Sequence, residues 1–325
     1  MKLPRRRFLH LAVGVAALPA LPIITRAQAY PSRPVRLIVG FPPGGPGDLT
    51  SRLAAQWLSE RLRQPFVVDN RPGASGNIAM EAVVRSSPDG HTLVLLDATP
   101  TISTTLFDKL SFNFIRDIAP VAGVAEMPEF MVVNPSVPAK TVPEFIAYAK
   151  ANPGKINMAS AGNATPPHVA GELFKMMTGV NLAHIPYRGA GPAMTDLLGG
   201  QVQIAFFASF VSLEHVKSGK LRALAVTSAK RFDELPDIPT VGESVPGFEV
   251  SVWFGIGAPK NTPVDILDTL NREINVALVD PKIRARIAGL GATPLVLSPA
   301  AFRNLIASET EKWAKVIKFA GIKPE

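Results

Sequence analysis

Short apolar runs alternate with amphipathic stretches along most of this chain. Residues 35–41, 66–69, 92–98, 130–134, 156–159, 202–206, 223–227 and 251–256 have the length and apolar content of strands, whereas 48–63, 76–87, 141–151, 167–178, 190–199, 263–279 and 299–320 carry the period of helices. The alternation predicts an α/β fold in which parallel sheets are covered by helices. In 48–63, Leu49, Leu53, Trp57 and Leu58 fall on one side and Arg52 and Glu60 elsewhere, as on a helix packed against a sheet, and Gln64-Pro65 ends it. Met127-Pro128 and Pro246-Gly247 are points where the chain could leave one lobe and return to it. They predict a first lobe of 30–130 plus 251–325 and a second lobe of 131–250, hinged by strands near 130–134 and 251–254. Hydrophobic residues flank the Pro-rich segment Leu235-Pro-Asp-Ile-Pro-Thr240, which reads as a rigid connection.

Two of the predicted strand–helix junctions share a design. Phe41-Pro-Pro-Gly-Gly-Pro-Gly-Asp48 follows the first strand and Ser160-Ala-Gly-Asn-Ala-Thr-Pro-Pro-His168 follows the fifth, and a helix opens after each. A helix start presents unpaired N–H groups at the positive end of its dipole, so each loop reads as a receptor for an anion. In the first, Gly44, Gly45 and Gly47 permit positive φ and close approach to the main chain, and Asp48 or Thr50 can cap the helix. In the second, Ser160, Asn163 and Thr165 add neutral side-chain donors, and His168 reads either as a ligand contact or as a packed cap. Pro186-Tyr187-Arg188-Gly189 offers an aromatic wall and a guanidinium suited to a carboxylate, although an Arg in such a turn is also commonly just solvated. For both loops the alternative is a plain turn whose glycines serve only geometry.

The first 29 residues have the form of an export signal. Lys2 and the Arg5-Arg6-Arg7 run precede an apolar stretch, and Ala27-Gln28-Ala29 has the small-x-small form of a cleavage site, so the mature chain is expected to start at Tyr30 in the periplasm. Arg5-Arg6-Arg7-Phe8-Leu9 also fits the twin-arginine pattern, the alternative being an ordinary Sec signal. Five of the basic residues and none of the acidic ones lie in 1–29, so the formal charge of +8 falls to about +3 in the mature chain. That excess, interleaved with acids and without a basic and aromatic block, argues against nucleic-acid binding. No later segment supplies the ~20 apolar residues of a membrane span.

Cysteine is absent, which excludes disulfides, thiol nucleophiles and Cys-based metal sites. Stability then rests on a large core, which 47% apolar composition can build. None of the five histidines stands in a His-Glu-x-x-His or His-x-His pattern, so no metal or other cofactor is expected. The first loop lacks both the Gly-x-Gly-x-x-Gly spacing and the Gly-Lys-Ser/Thr of nucleotide sites, and Gly73-Ala74-Ser75-Gly76 does not satisfy Gly-x-Ser-x-Gly. Without a placed base and nucleophile the chain reads as a non-enzyme, the lesser alternative being a hydrolase that uses the same cleft.

Many ordered segments carry a further signal: Tyr30-Pro-Ser-Arg-Pro-Val-Arg-Leu-Ile-Val, Phe41-Pro-Pro-Gly-Gly, Asp69-Asn-Arg-Pro-Gly-Ala-Ser-Gly-Asn77, Ser87-Pro-Asp-Gly90, Val132-Val-Asn-Pro-Ser-Val-Pro138, Ser160-Ala-Gly-Asn163, His168-Val-Ala-Gly-Glu-Leu-Phe174, Asp196-Leu-Leu-Gly-Gly-Gln-Val202, Gly219-Lys-Leu-Arg-Ala-Leu-Ala-Val-Thr227 and Leu235-Pro-Asp-Ile-Pro-Thr240. In these the chain resembles the Bug family, the periplasmic solute receptors associated with tripartite tricarboxylate transporters, over nearly all of 30–325. The resemblance implies a type II periplasmic-binding-protein fold, two α/β lobes closing on a small organic acid. It implies as partners the membrane permease subunits of such a transporter, or alternatively a sensor kinase, and a monomeric receptor.

By position, the resemblance implies a first carboxylate site at Phe41, Gly44, Gly45, Pro46, Gly47 and Asp48 and an opposing one at Ser160, Ala161, Gly162, Asn163 and Thr165, beside His168. Thr99 and Thr101 take the place of a loop lining the cleft, and Tyr187 and Arg188 match the family's Tyr-Lys/Arg position. At Phe206-Phe-Ala-Ser209 many relatives have Phe-Asp and a polar residue, so Phe207, with Ala208 beside it, is expected to replace an acid. A ring there favours a carboxylate without an amino group and with an apolar distal side.

Overall fold

The computed structural model describes residues 30–106 and 111–323. The expected leader and its cleavage after Ala29 lie outside the described residues. In chain order the elements are β1 (Val35–Val39), α1 (Pro46–Leu62), β2 (Phe66–Asn70), α2 (Asn77–Val84), β3 (Thr92–Asp97), α3 (Thr99–Leu106), α4 (Phe114–Asp117), β4 (Ile118–Val133), α5 (Val142–Ala151), β5 (Asn157–Ser160) and α6 (Pro166–Thr178). There follow β6 (Ala183–Pro186), α7 (Ala190–Leu198), β7 (Ile204–Ala208), α8 (Ser209–Lys217), β8 (Arg222–Val226), β9 (Ser251–Pro259), α9 (Val264–Val279), α10 (Pro281–Ala288), β10 (Thr293–Pro294) and α11 (Pro299–Ala320).

The strands run in the order β2-β1-β3-β9-β4-β7-β5-β6. β2, β1 and β3 are parallel, as are β7, β5 and β6; the strands between them, β9 and β4, are antiparallel to their neighbours. β4 joins the two halves. Its 16 residues span about 50 Å at strand rise; Ile118 to Pro128 pair with β9, and Glu129 to Val133 pair with β7. At the crossing, Thr227 Oγ1 donates to Val250 O (2.7 Å), and the amides of Glu129 and Thr227 are tied to each other's residue.

Period-2 alternation sends successive residues of each strand to opposite cores. In the first half, Leu37, Leu93 and Leu95 meet α1 and α9 through Leu53, Leu58 and Leu270, while Ile38, Val94 and Leu96 meet α2 and α11 through Met80, Val83 and Phe302. In the second half, Met131, Ile204 and Phe206 pack with Phe145 and Phe174 of α5 and α6, and Phe130, Ala205 and Phe207 pack on the α7 side with Leu197. The C-terminal helix was expected wholly within the first lobe. Its length carries it further: Phe302 and Ile306 belong to the first half, but Trp313, Val316 and Ile317 share a core with Phe174 and Phe206, joined by Ile102 of α3.

α4, β6, α8, α10 and β10 are not among the expected elements, and two further pieces run against their local sequence. The first part of β4 contains Pro120, Gly123 and Pro128 and becomes a strand by pairing with β9, not by propensity. α3 is rich in β-branched residues, Thr-Pro-Thr-Ile-Ser-Thr-Thr-Leu, which have low helix propensity, and it includes Thr99 and Thr101, expected in a loop.

Candidate functional site

The first loop is braced from inside its helix. Gly40 passes so close to Gly76 that a Cβ at 40 would come 2.9 Å from the Gly76 Cα. α1 then opens at Pro46, which has no N–H to leave unpaired, behind Gly45, an N-cap without a capping side chain. Asp48, in the first turn and fully buried, turns back instead. Its Oδ2 accepts from Gly44 N and from Arg52 Nε, both at 2.9 Å, and its Oδ1 accepts from Asn70 Nδ2 at 2.9 Å. Asn70 Nδ2 also donates to Phe41 O (3.0 Å), closing the network. Burial pushes the Asp48 carboxyl up, but the bonds from Arg52, Gly44 and Asn70 outweigh it and hold the group below its ordinary range. The Gly44 N–H expected for a ligand is therefore already spent. Among the described residues, the amides of Gly47 and Asp48 at the positive end of α1 have no protein acceptor.

The second loop repeats the device with a different side chain. Ala164 N donates to His168 Nδ1 (3.0 Å), the same four-residue return that links Gly44 to Asp48, so His168 is a buried cap with its proton on Nε2, facing Glu172 at 3.7 Å. The first two residues of α6 are Pro166 and Pro167, and His168 N donates to Thr165 O (2.9 Å). This helix start has no first-turn amide to offer, which corrects the expectation that it receives an anion at its N–H groups. Thr165 Oγ1 donates to Gly162 O (2.7 Å), and Gly162, at φ +131°, donates its N–H to Ser160 Oγ (3.2 Å). Ser160 Oγ lies 2.6 Å from His184 Nε2, and the His184 ring stacks on His168 with centroids 3.6 Å apart. Burial, with His168 adding to it, pushes His184 down to about 4. The Ser160–His184 pair is no nucleophile–base couple: Ser160 is fully buried and a second imidazole, not a carboxylate, supports the ring.

Between these loops lies a cavity of about 460 Å³. Phe41, Pro42, Pro43, Gly45, Pro46 and Gly47 form one wall, Asp97, Ala98 and Thr99 at the β3–α3 junction a second, and Val252 and Phe254 of β9 the floor; Pro166 of α6 faces them. Gly47 needs its missing side chain, because a Cβ there would lie 2.9 Å from Leu95 Cδ2. Asp97 Oδ1 accepts from Thr99 N at 2.6 Å, and burial raises its carboxyl to about 6 despite that bond.

Of the residues expected to bind ligand, Phe41, Gly45, Pro46, Gly47 and Thr99 line this cavity. Gly44 and Asp48 shape it from behind. Thr101 is fully buried and donates to Ala98 O (2.5 Å), so it holds the start of α3. Ser160, Ala161, Gly162, Asn163, Thr165 and His168 form the opposing loop without lining the cavity themselves. Tyr187 lies behind that loop, its OH donating to Asp196 Oδ2 (2.7 Å); burial and Asp196 push it up to about 12. Arg188 is exposed. Phe207 corrects the expectation of a ring facing ligand: it is fully buried beside Phe130 and Val132, because its strand is covered on both faces, while Ala208 ends that strand half-buried. Asp97, Pro42, Pro43, Pro166, Val252 and Phe254 were missed. For Asp97 a signal existed, a single acid ending an apolar strand. No group of three or more metal-ligating side chains occurs among the described residues, and no helix among them is long and apolar enough to cross a membrane.

Comparison with known proteins places this geometry. Residues 50–322 match the model of the tripartite tricarboxylate transporter family receptor, TctC. The chain is 39% identical to protein BugT of Bordetella pertussis, over 91% of this chain and 92% of that protein. An adipate-bound structure from R. palustris superposes with a TM-score of 0.80 at 35% identity, covering 91% of this chain and 100% of the other. Malate-bound MatC from Rhodopseudomonas palustris gives 0.74 at 32% identity, covering 89% and 100%. The two lobes, the strand order and the paired strand–loop–helix junctions thus belong to a solute-receptor fold, and the chain is a member of the tripartite tricarboxylate transporter receptor family, to which the Bug proteins belong.

Proposed function

We propose that this protein is a periplasmic receptor that captures a small organic carboxylate in the cavity at the start of α1 and delivers it to the permease subunits of a tripartite tricarboxylate-type transporter. The observation that carries this reading is the combination of unspent Gly47 and Asp48 amides with apolar walls from Phe41, Pro43 and Phe254. Amides at a helix start hold a carboxylate, and the rings and prolines accept methylenes. These walls, and not the buried Phe207, favour an acid with an aliphatic body and no amino group. The relatives bound to adipate and malate support the same ligand class.

In this reading 30–130 with most of 251–325 form one lobe and 131–250 the other, and the ligand drives closure by contacting both. Closure brings the 160–165 loop and the exposed Arg188 toward the acid. The protein acts as a monomer without catalysis, and it reaches the periplasm by twin-arginine export with cleavage after Ala29. Replacing Arg5 and Arg6 by Lys tests the route, with loss of periplasmic protein as the expected outcome. Binding is tested by calorimetric titration of the chain starting at Tyr30 with adipate, malate and matched amino acids. Saturable binding of a dicarboxylate supports the reading; preference for an amino acid, or turnover of a bound acid, contradicts it.

A further inference from the structure

Resting on that reading, the charge balance of the cavity has an unusual feature. A carboxylate must enter a space whose lining, among the described residues, includes no Lys, Arg or His and one ionisable side chain, Asp97, itself an acid. Asp97 is 5% exposed, at the end of β3. The groups on the surrounding elements do not compensate it. On α1, Asp48 and Arg52 are paired with each other; across the ladder, Asp97 faces Phe254 of β9. α2 carries Glu81, paired with Arg85, and α3 is without charge from Thr99 to Leu106. On α6, His168 is capped by Ala164 N, and Glu172 is paired with Lys175. On β4, Glu126 belongs to the stretch paired with β9, and Glu129 is buried in the crossing.

We infer that Asp97 is the specificity-determining residue of the site: a carboxylate binds as Asp97 takes up one proton from solvent, and the resulting carboxyl O–H donates to the bound anion. Two carboxylates in one buried space cannot both stay ionised, so one proton is shared between them. The Thr99 N–H bond at 2.6 Å fixes the orientation of Asp97, so protonation does not cost a rearrangement. Burial already holds Asp97 at about 6, so the proton is available near neutral pH. On this view the affinity of the site for a carboxylate rises as the medium acidifies.

Capping alone would also explain an Asp before α3. Asp97→Asn separates the two roles, because its amide keeps an acceptor for Thr99 N and supplies a permanent donor to the ligand. The test is calorimetry of the wild type and D97N with adipate at pH 6.5 and 8.0, each in two buffers of different ionisation enthalpy. Simple carboxylic acids are fully ionised across this window, and histidine effects are common to both proteins. The protonated fraction of a group at about 6 falls about 25-fold between these pH values, so wild-type affinity should fall by that factor with uptake near one proton per adipate at pH 8.0. D97N should bind at both pH values with less than about threefold change and no uptake. A wild type that binds equally at both pH values without uptake overturns the inference but leaves the receptor reading standing. So does a folded D97N that has lost binding, since the ligand would then donate to an ionised Asp97. Absence of binding by adipate and malate in both proteins overturns the receptor reading, and this inference with it.

Discussion

Replacing Asp48 by Asn changes one buried atom and leaves shape and volume intact. Asp48 Oδ1 accepts from Asn70, and Oδ2 accepts from Gly44 N and Arg52. Whichever way the amide is turned, its NH2 faces a donor. The Arg52 side chain is 51% exposed, so that pair is screened and contributes little. Of the other two, one bond is lost with its donor left buried and the other passes from a charged to a neutral acceptor, which together cost about 3 kcal/mol. For a chain of this length that corresponds to a fall in Tm of about 6 °C. The same change weakens the hold on Gly44 or on Asn70, which carries Phe41 O, so the wall carrying Phe41 and Pro43 should loosen and ligand affinity should fall with stability. The pH dependence has a definite sign. The folded carboxyl is held below its unfolded value, so its contribution is complete above the unfolded value near 4 and is lost as pH falls through the folded one. Scanning calorimetry should therefore show wild type and D48N separated at pH 7 and drawing together as the pH falls below the unfolded value. A D48N protein within about 1 °C of wild type at pH 7, binding acid normally, would refute the brace.

Among the described residues Glu129 has no hydrogen-bond partner for either carboxylate oxygen, and burial pushes it well above its ordinary value. Its favourable contribution is thus present below the unfolded value and lost as pH rises through the folded one, so Glu129→Met should stabilise at pH 8 and change little at pH 4 in urea unfolding; destabilisation at pH 8 would contradict this. A Cβ on Gly255 would lie 2.3 Å from Phe302 Cζ and 2.6 Å from Ala122 O, so Gly255→Ala should cost about 3 kcal/mol or more, visible as a Tm loss; an unchanged Tm refutes the close packing. His184 is held down at about 4, so stability should decline as pH falls from 6.5 toward 4, and His184→Gln should flatten that slope; an unaltered slope counts against it.

Sequence carried the helices well because most of them have a clear apolar stripe and a stop; α11 was read at its observed limits, Pro299 and Ala320. It carried the two loops because Gly and Pro clusters after apolar runs have few alternatives. What those loops do with their amides was hidden, since Asp48 and His168 act four residues ahead of the donors they satisfy, and only the folded turn brings them together. Phe206 and Phe207 illustrate a second limit. Where both faces of a strand are covered, neither residue of an apolar pair is marked as facing ligand, and both went into cores. The cavity floor, Val252 and Phe254, comes from a strand 200 residues away from the first loop, a juxtaposition set by sheet order alone.

The most direct test is a crystal structure of the chain from Tyr30 with adipate or malate bound. The account predicts a carboxylate at the start of α1, within hydrogen-bond distance of the Gly47 and Asp48 amides, with its carbon chain against Phe41 and Phe254 and Asp97 in contact. An acid bound elsewhere in the protein, with those two amides facing water, would contradict it.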